Sequence, residues 1–256
     1  MELYQFENDP LLIVAWAVGL ATICLILANR TKIAIATGLV DDASKKPHAT
    51  HKGRVPIIGG IAWVGGAYAF FVVYVLANLF QKSDKLNELE ISNFVIYIVY
   101  VSIFFVIGLI DDVRGLSPRV RLIVSTGMVL ILTIAADPRF ALYGVADDFT
   151  LFNVNFGYLT TIITVAAVVG IINAINMSDG RNGIIAGATV IWCLALICKT
   201  DNSLAVAVLL AIATNSTLLF LQNLKSNIFF GDSGSYSIGA AFSGIAIYWH
   251  SGQFSG

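Results

Sequence analysis

Long apolar runs separated by short polar segments constrain this chain more than any other feature of its sequence. A helix that crosses a bilayer needs about 20 apolar residues, with a range of about 17–25. The 256 residues are 57% hydrophobic and 12% charged, whereas a soluble domain carries about 25% charged residues. We therefore predict an all-α integral membrane protein, a polytopic transmembrane helix bundle. Its eight predicted spans are Leu11–Ala28, Ile57–Phe80, Phe94–Ile110, Leu122–Ala136, Tyr158–Ile175, Ile184–Cys198, Leu204–Leu221 and Tyr236–Trp249.

Lys and Arg are distributed unevenly between the two sets of connecting segments. Eleven of the 15 lie in the set that comprises 29–56, 111–121, 176–183 and 222–235. The positive-inside rule places this set in the cytoplasm and the N-terminus outside. Only six of the 16 acidic residues share that side. A basic surface that keeps a few acids at helix ends suits an anionic substrate and a divalent cation. A net charge of −1 without a basic domain gives no support for nucleic-acid binding.

A polar stretch from Asn173 to Gly183 separates two purely apolar runs. Polar side chains at the end of a membrane segment are costly, so they usually face protein or a water-filled cavity and serve function. Asn173, Asn176 and Asp179 recur every three residues, so successive side chains drift by about 60° around a helix and share one broad face. The alternative interpretation is a helix cap followed by a turn.

Two adjacent carboxylates, Asp111 and Asp112, directly follow the third apolar run. Such a pair can bind a divalent cation, or one carboxylate can act as a base while the other orients a cation. The structural alternative is a helix C-terminus whose acids pair with Arg114 and Arg119. Acids are unfavourable at that end of the helix dipole, which weakens the alternative.

The segment from Ile228 to Ser235 precedes the last apolar run. Asp232 is a hard oxygen ligand among small residues, and Ser233 leads into a helix whose free N–H groups favour phosphate. Phe229 offers a ring on which a base can stack. The alternative is a turn in which Asp232 or Ser233 caps the eighth span.

The first cytoplasmic segment concentrates four cations and two histidines in ten residues, among them His51 and Lys52. Cations and ring N–H donors of this kind can bind phosphate. The alternative is an ordinary basic loop on the cytoplasmic side.

Together these segments resemble the polyprenyl-phosphate N-acetylhexosamine-1-phosphate transferase family, which includes WecA-like enzymes and, more distantly, the MraY translocase. The order and spacing of the motifs cover residues 40 to 240. The matching pieces are His51-x-x-x-x-Pro56-x-x-Gly59-Gly60, Gly108-x-x-Asp111-Asp112 with Leu116-Ser117-Pro118, Asn173-Ala-x-Asn176-Met-x-Asp179-Gly180-x-Asn182-Gly183, and Ile228-Phe229-x-Gly231-Asp232-Ser233-Gly234-Ser235.

The resemblance implies an enzyme that transfers a sugar-1-phosphate from a UDP-N-acetylhexosamine to undecaprenyl or another polyprenyl phosphate and releases UMP. It implies Mg²⁺ as the cofactor, with Mn²⁺ as the alternative metal. The step would initiate a cell-surface polysaccharide such as O-antigen or teichoic acid. The implied location is the bacterial inner membrane, among membrane lipids, with the active site facing the cytoplasm and a homodimer allowed. The competing hypothesis is a cation- or proton-coupled transporter, whose acids should lie near the membrane midplane.

The resemblance also implies roles for individual residues. Asp111 is the candidate base or activator of the lipid phosphate, Asp112 supports it, and Asp179 completes the catalytic set. Asp232 and Asn176 are the candidate metal ligands. The candidate substrate-binding residues are His51, Lys52, Asn173, Asn182, Phe229 and Ser233.

The sequence departs from the family pattern at several positions. Pro47-His48-Ala49-Thr50 replaces the usual residues before the first-loop histidine, and Asn182 stands where some members have Asp. We expect a single transmembrane catalytic domain over residues 1–256, without the C-terminal helices and the histidine-rich loop usual in the family.

Overall fold

The computed structural model describes residues 10–45, 53–80, 88–133, 150–151, 154–155, 157–200 and 203–250. These residues form mainly helices and two short antiparallel hairpins. The helices are α1 Pro10–Ala28, α2 Arg30–Thr37, α3 Gly59–Phe80, α4 Glu88–Arg114, α5 Pro118–Ile131, α6 Gly157–Ser178, α7 Ile184–Ile197, α8 Ser203–Leu224 and α9 Gly231–His250. The strands are β1 Val40–Asp42, β2 Arg54–Pro56, β3 Thr150–Leu151 and β4 Val154–Asn155, with a 3₁₀ turn at Ala43–Lys45.

Each predicted apolar run coincides with a helix, which confirms the prediction of an all-α polytopic membrane protein. By length and composition, five of the described helical segments can cross a membrane, and α7 is a shorter apolar helix. The five segments are Pro10–Ala28, Gly59–Phe80, Val95–Arg114, Thr161–Ser178 and Ala205–Leu224. The count of eight spans and the orientation of the N-terminus stay predictions.

The end of α4 differs from the predicted boundary at Ile110. The helix continues through the acid pair to Arg114 and ends where Gly115 adopts a left-handed conformation with φ 65°. The Gly115 N–H then donates to the Asp111 carbonyl at 2.7 Å. Glycine adopts this conformation without a steric penalty, so it is the residue that stops the helix. Asp111 and Asp112 therefore project from the last turn of a rigid helix.

Helix α9 forms the centre of the bundle, where it packs against α3, α4 and α6. Every residue from 233 to 245 is buried. Small residues permit this close packing, since a Cβ atom on Gly239 would lie 2.8 Å from the Ile172 Cα atom of α6. The Tyr100 hydroxyl of α4 also lies 2.6 Å from the Ser243 hydroxyl of α9. The position of the first residues of α9 is thus fixed by three neighbouring helices.

Candidate active site

The turn at the start of α9 lies wedged between the ends of α3 and α4. A Cβ atom on Gly60 of α3 would lie 2.7 Å from the carbonyl carbon of Ser233. A Cβ atom on Gly108 of α4 would lie 2.6 Å from the carbonyl carbon of Asp232. These atoms belong to backbone and cannot move independently. The two glycines of separate motifs therefore bring Asp232 close to the acid pair of α4.

Phe229 joins the same turn to the first cytoplasmic segment. Its N–H donates to the Pro56 carbonyl at 2.8 Å, and its carbonyl accepts from the Gly59 N–H at 2.9 Å. The Phe229 side chain is partly buried. His51 and Lys52, which precede β2, lie outside the described residues. Their assignment to substrate binding, like that of Phe229, stays a prediction.

Asp112 caps the N-terminus of α9 from the neighbouring helix. Its Oδ1 atom accepts from the Asp232 N–H at 2.7 Å, and its Oδ2 atom accepts from the Ser233 N–H at 2.9 Å. A carboxylate is favourable at this end of the helix dipole. Asp112 already occupies these two N–H groups, so they are not free to bind phosphate, and the expectation of a phosphate site at this helix end stays a prediction. The alternative of a cap supplied by Asp232 or Ser233 is wrong.

Ser233 is completely buried, and its Oγ atom lies beside Gly60 of α3. The catalytic role of Asp112 and the substrate-binding role of Ser233 stay predictions. In the structure, Asp112 caps α9 and Ser233 is packed in the interior.

Asn176 connects α6 to the same point. Its Nδ2 atom donates to the Asp232 Oδ1 atom and, at 2.8 Å, to the Ser235 Oγ atom. Asn176 and Asp232, the two predicted metal ligands, are 56 residues apart in sequence and yet are in direct contact. Asn173 lies one turn earlier on α6, and its Nδ2 atom donates to the Val169 carbonyl at 2.8 Å. Asn173 is thus bonded within its own helix, whereas Asn176, about 60° further around, is bonded to α9.

Asp111 and Asp232 face a common cation that the sequence analysis missed. The Nη1 atom of Arg121 lies 3.2 Å from Asp111 Oδ2 and 3.8 Å from Asp232 Oδ1. The other oxygen of Asp111 accepts from the Leu116 N–H at 2.7 Å. Among the described residues, Arg121 takes the place that the structural alternative assigned to Arg114 and Arg119. A cation in the first turn of α5 opposes the helix dipole, which is the sequence signal that points to an acidic partner.

Asp179 follows the last residue of α6 and adds a fourth carboxylate. Burial, together with the negative charges of Asp232 and Asp112, raises the pKa of Asp179 to about 7. The charges of Asp232 and Asp112 act on Asp179 only because the three carboxylates lie near one another. Asp111, Asp112, Asp179 and Asp232, here called the four aspartates, therefore converge as the motif analysis predicted.

Asn182 is bonded to the segment that precedes α9. Its Nδ2 atom donates to the Ser226 Oγ atom at 2.7 Å, and the residue is exposed. Beside it, Asn223 accepts from the Gly183 N–H at 2.5 Å and donates to the Ile228 carbonyl at 2.9 Å. Asn223 thereby ties the polar stretch after α6 to the segment before α9. The role of Asn182 in substrate binding stays a prediction.

The site accommodates a cation, although the described residues hold no group of three or more His, Cys, Asp or Glu that could form a metal centre by themselves. Two carboxylate oxygens already face one cationic nitrogen, that of Arg121. Mg²⁺ commonly uses one or two carboxylates and completes its shell with waters and substrate phosphates. The two carboxylates therefore fit one or two ligand positions of a divalent cation.

The helix bundle and the four aspartates define an integral membrane protein with a cation-attracting site where α4, α6 and α9 meet. The chain belongs to glycosyl transferase family 4, whose model matches residues 94–250.

Curated relatives extend over most of this chain. It is 29% identical over 240 residues to a probable undecaprenyl-phosphate N-acetylglucosaminyl 1-phosphate transferase of Bacillus subtilis (strain 168), covering 92% of this chain and 62% of the relative. It is 26% identical over 238 residues to an undecaprenyl-phosphate alpha-N-acetylglucosaminyl 1-phosphate transferase of Salmonella typhi, covering 85% and 56%. A phospho-N-acetylmuramoyl-pentapeptide-transferase of Chlorobium luteolum is 23% identical over 218 residues, covering 72% and 57%. The chain thus spans less than two thirds of the length of these relatives.

Proposed function

We propose that this protein takes part in the transfer of N-acetylhexosamine-1-phosphate from a UDP-sugar to undecaprenyl phosphate, with release of UMP. The observation that carries the proposal is the meeting of Asp111 and Asp112 of α4 with Asp232 of α9, to which Asn176 of α6 is hydrogen-bonded. The names of the curated relatives support the same chemistry and give no support to the transporter hypothesis.

The chemical problem in this reaction is to bring two anions together. An oxygen of the acceptor phosphate bonds to the sugar-bearing phosphorus while the bond from that phosphorus to the UMP oxygen breaks. The acceptor oxygen is already anionic, so the bond can form without removal of a proton. We propose Asp232 and Asp111 as carboxylate ligands of Mg²⁺, with Asn176 orienting Asp232. Bound there, the metal would neutralise the diphosphate and the leaving UMP.

An open groove between α5 and α6 suits the apolar chain of the acceptor. Its volume is about 550 Å³, and its lining is almost entirely apolar. The lining residues are Leu122, Thr126, Leu130, Thr161, Ile162, Val165, Ala166, Val169, Gly170 and Asn173. The stretch of α6 from 161 to 173 is roughly 18 Å long at 1.5 Å per residue. One end of the groove therefore lies beside Arg121 and Asn176, and the other extends along the membrane segment.

Filling this groove is expected to weaken acceptor binding selectively. An added Cβ atom on Gly170 meets no atom within 4 Å, so Gly170→Leu can fold while its side chain occupies the groove. We expect KM for undecaprenyl phosphate to rise about tenfold, the effect of losing roughly 1.4 kcal/mol of binding, with KM for the UDP-sugar unchanged. Steady-state UMP release at varied acceptor concentration measures both constants.

Gly127→Leu is the matched control for the groove. Gly127 lies on α5 with equally open surroundings, but it is not among the residues that line the groove. An equal rise of the acceptor KM in both variants would contradict the assignment of this groove to the lipid.

The proposed function is tested by UMP release from the purified protein. Undecaprenyl phosphate and Mg²⁺ are supplied with a panel of UDP-sugars. We expect UMP only when acceptor, divalent cation and a UDP-N-acetylhexosamine are all present. Absence of UMP with every donor in the panel, from protein that is folded and inserted, would overturn the proposal.

A further inference from the structure

Arg121 contacts two of the four aspartates, and the proposed reaction assigns it no role. Its guanidinium contacts Asp111 of α4 and Asp232 of α9, although Arg121 itself belongs to α5. The Asp111 side chain is 3% exposed, and its Oδ2 atom makes no hydrogen bond to a described residue. Arg121 is thus the cation that this buried oxygen faces.

Local structure does not account for this placement. Arg121 lies in the first turn of α5, where Ser117 is the N-cap and the free N–H groups disfavour a cation. Arg119, two residues earlier, is exposed and forms no ion pair with a described residue. The Arg121 side chain is instead only 25% exposed. Its position follows from contacts across the helix interface, to the two aspartates and to the Tyr236 side chain of α9.

We propose that Arg121 is an exchangeable counter-ion of this site. It bridges Asp111 and Asp232 while no divalent cation is bound, and it leaves them when a cation binds between them. Its guanidinium then turns to the phosphate of the acceptor. The first half of this proposal depends only on the geometry of Arg121, and the second half rests on the proposed function.

Direct competition explains the exchange. A Mg²⁺ ion lies 2.0–2.1 Å from its oxygen ligands, and a positive guanidinium at the same two carboxylates repels it. Coupling is reciprocal, so a residue that lowers cation affinity is itself displaced by the cation. Leu122, the next residue, lines the groove. Arg121 therefore stands at the mouth of the groove, where its planar donors can bind a phosphate.

Mn²⁺ binding to the purified full chain tests the first half, with electron paramagnetic resonance as the readout. Arg121→Gln is expected to bind Mn²⁺ about tenfold more tightly than the unmodified protein, a coupling in the usual range. Its thermal midpoint without cation should be lower, and Mn²⁺ should restore it. Arg119→Gln, the matched control, should show the unmodified affinity. Arg121→Lys keeps the charge and should bind Mn²⁺ less tightly than Arg121→Gln.

Equal or weaker Mn²⁺ binding by Arg121→Gln would overturn the exchange, and so would equal affinities for the Lys and Gln variants. The second half predicts that Arg121→Gln raises KM for undecaprenyl phosphate about tenfold. An unchanged KM would overturn that half. Tighter Mn²⁺ binding in a protein that releases no UMP would support the exchange while the proposed function fails.

Discussion

Asp232→Asn is expected to reduce UMP release about 100- to 1,000-fold, the loss that several kcal/mol of transition-state stabilisation corresponds to. Asp232 contacts Asn176 and faces Arg121, so it lies where the four aspartates converge. The amide keeps the shape of the side chain but removes the charge that holds a divalent cation. UMP release at saturating substrates and increasing Mg²⁺ measures the effect.

Asp42→Asn is the control for loss of a carboxylate. The Asp42 side chain accepts hydrogen bonds from Ser44 and from Arg54 within the first hairpin region. We expect this variant to retain UMP release within about twofold, since its partner Arg54 is largely exposed and such surface pairs contribute little to stability. Full activity of Asp232→Asn, in protein with an unchanged thermal midpoint, would remove Asp232 from the cation site.

Gly108→Ala is expected to disturb both stability and the site. The added methyl group would lie 2.6 Å from the carbonyl carbon of Asp232 and from the Ser233 Cα atom. Helices α4 and α9 must separate to accept it, at a cost of about 1–3 kcal/mol. We expect the thermal midpoint to fall by about 3–10 °C. UMP release should fall about 100-fold, because a displacement of about 1 Å misaligns the reacting groups.

Gly127→Ala provides the comparison for this prediction. A Cβ atom at Gly127 meets no atom within 4 Å, and alanine favours a helix more than glycine does. Its thermal midpoint should be unchanged or slightly higher, with normal UMP release. If both alanine variants melt and react alike, the close approach of α4 to the Asp232 turn is not needed for the site.

The convergence of Asp111, Asp179 and Asp232 could be predicted because topology alone places them together. Consecutive apolar runs alternate direction, so polar motifs that follow the third and fifth runs and precede the eighth must lie on the same side. Helix geometry also predicted a shared face for Asn173 and Asn176, but only Asn176 reaches Asp232. A rotation of about 60° around a helix axis is small, but it can turn a side chain from one neighbouring helix toward another.

The contacts of Asp112 and Arg121 could not be predicted from spacing, for a related reason. A carboxylate beside Asp111 reads as a second catalytic group, yet its oxygens face two N–H groups of α9. Arg121 lies ten residues from Asp111 and more than a hundred from Asp232, and it contacts both. Neither contact follows from spacing, since each depends on how far one helix is rotated toward another.

The sequence by itself determined the membrane-spanning class, the helices and the expectation that the motifs meet at one end of the bundle. Those properties depend on the length of the apolar runs and on the distribution of charge. Many residues contribute to each, so a few exceptions do not change the prediction. Only the tertiary structure decided which donor each carboxylate binds. Hydrogen bonds and ion pairs act over about 3–4 Å, so they require the rotation and close approach of helices that glycines such as Gly60 and Gly108 permit.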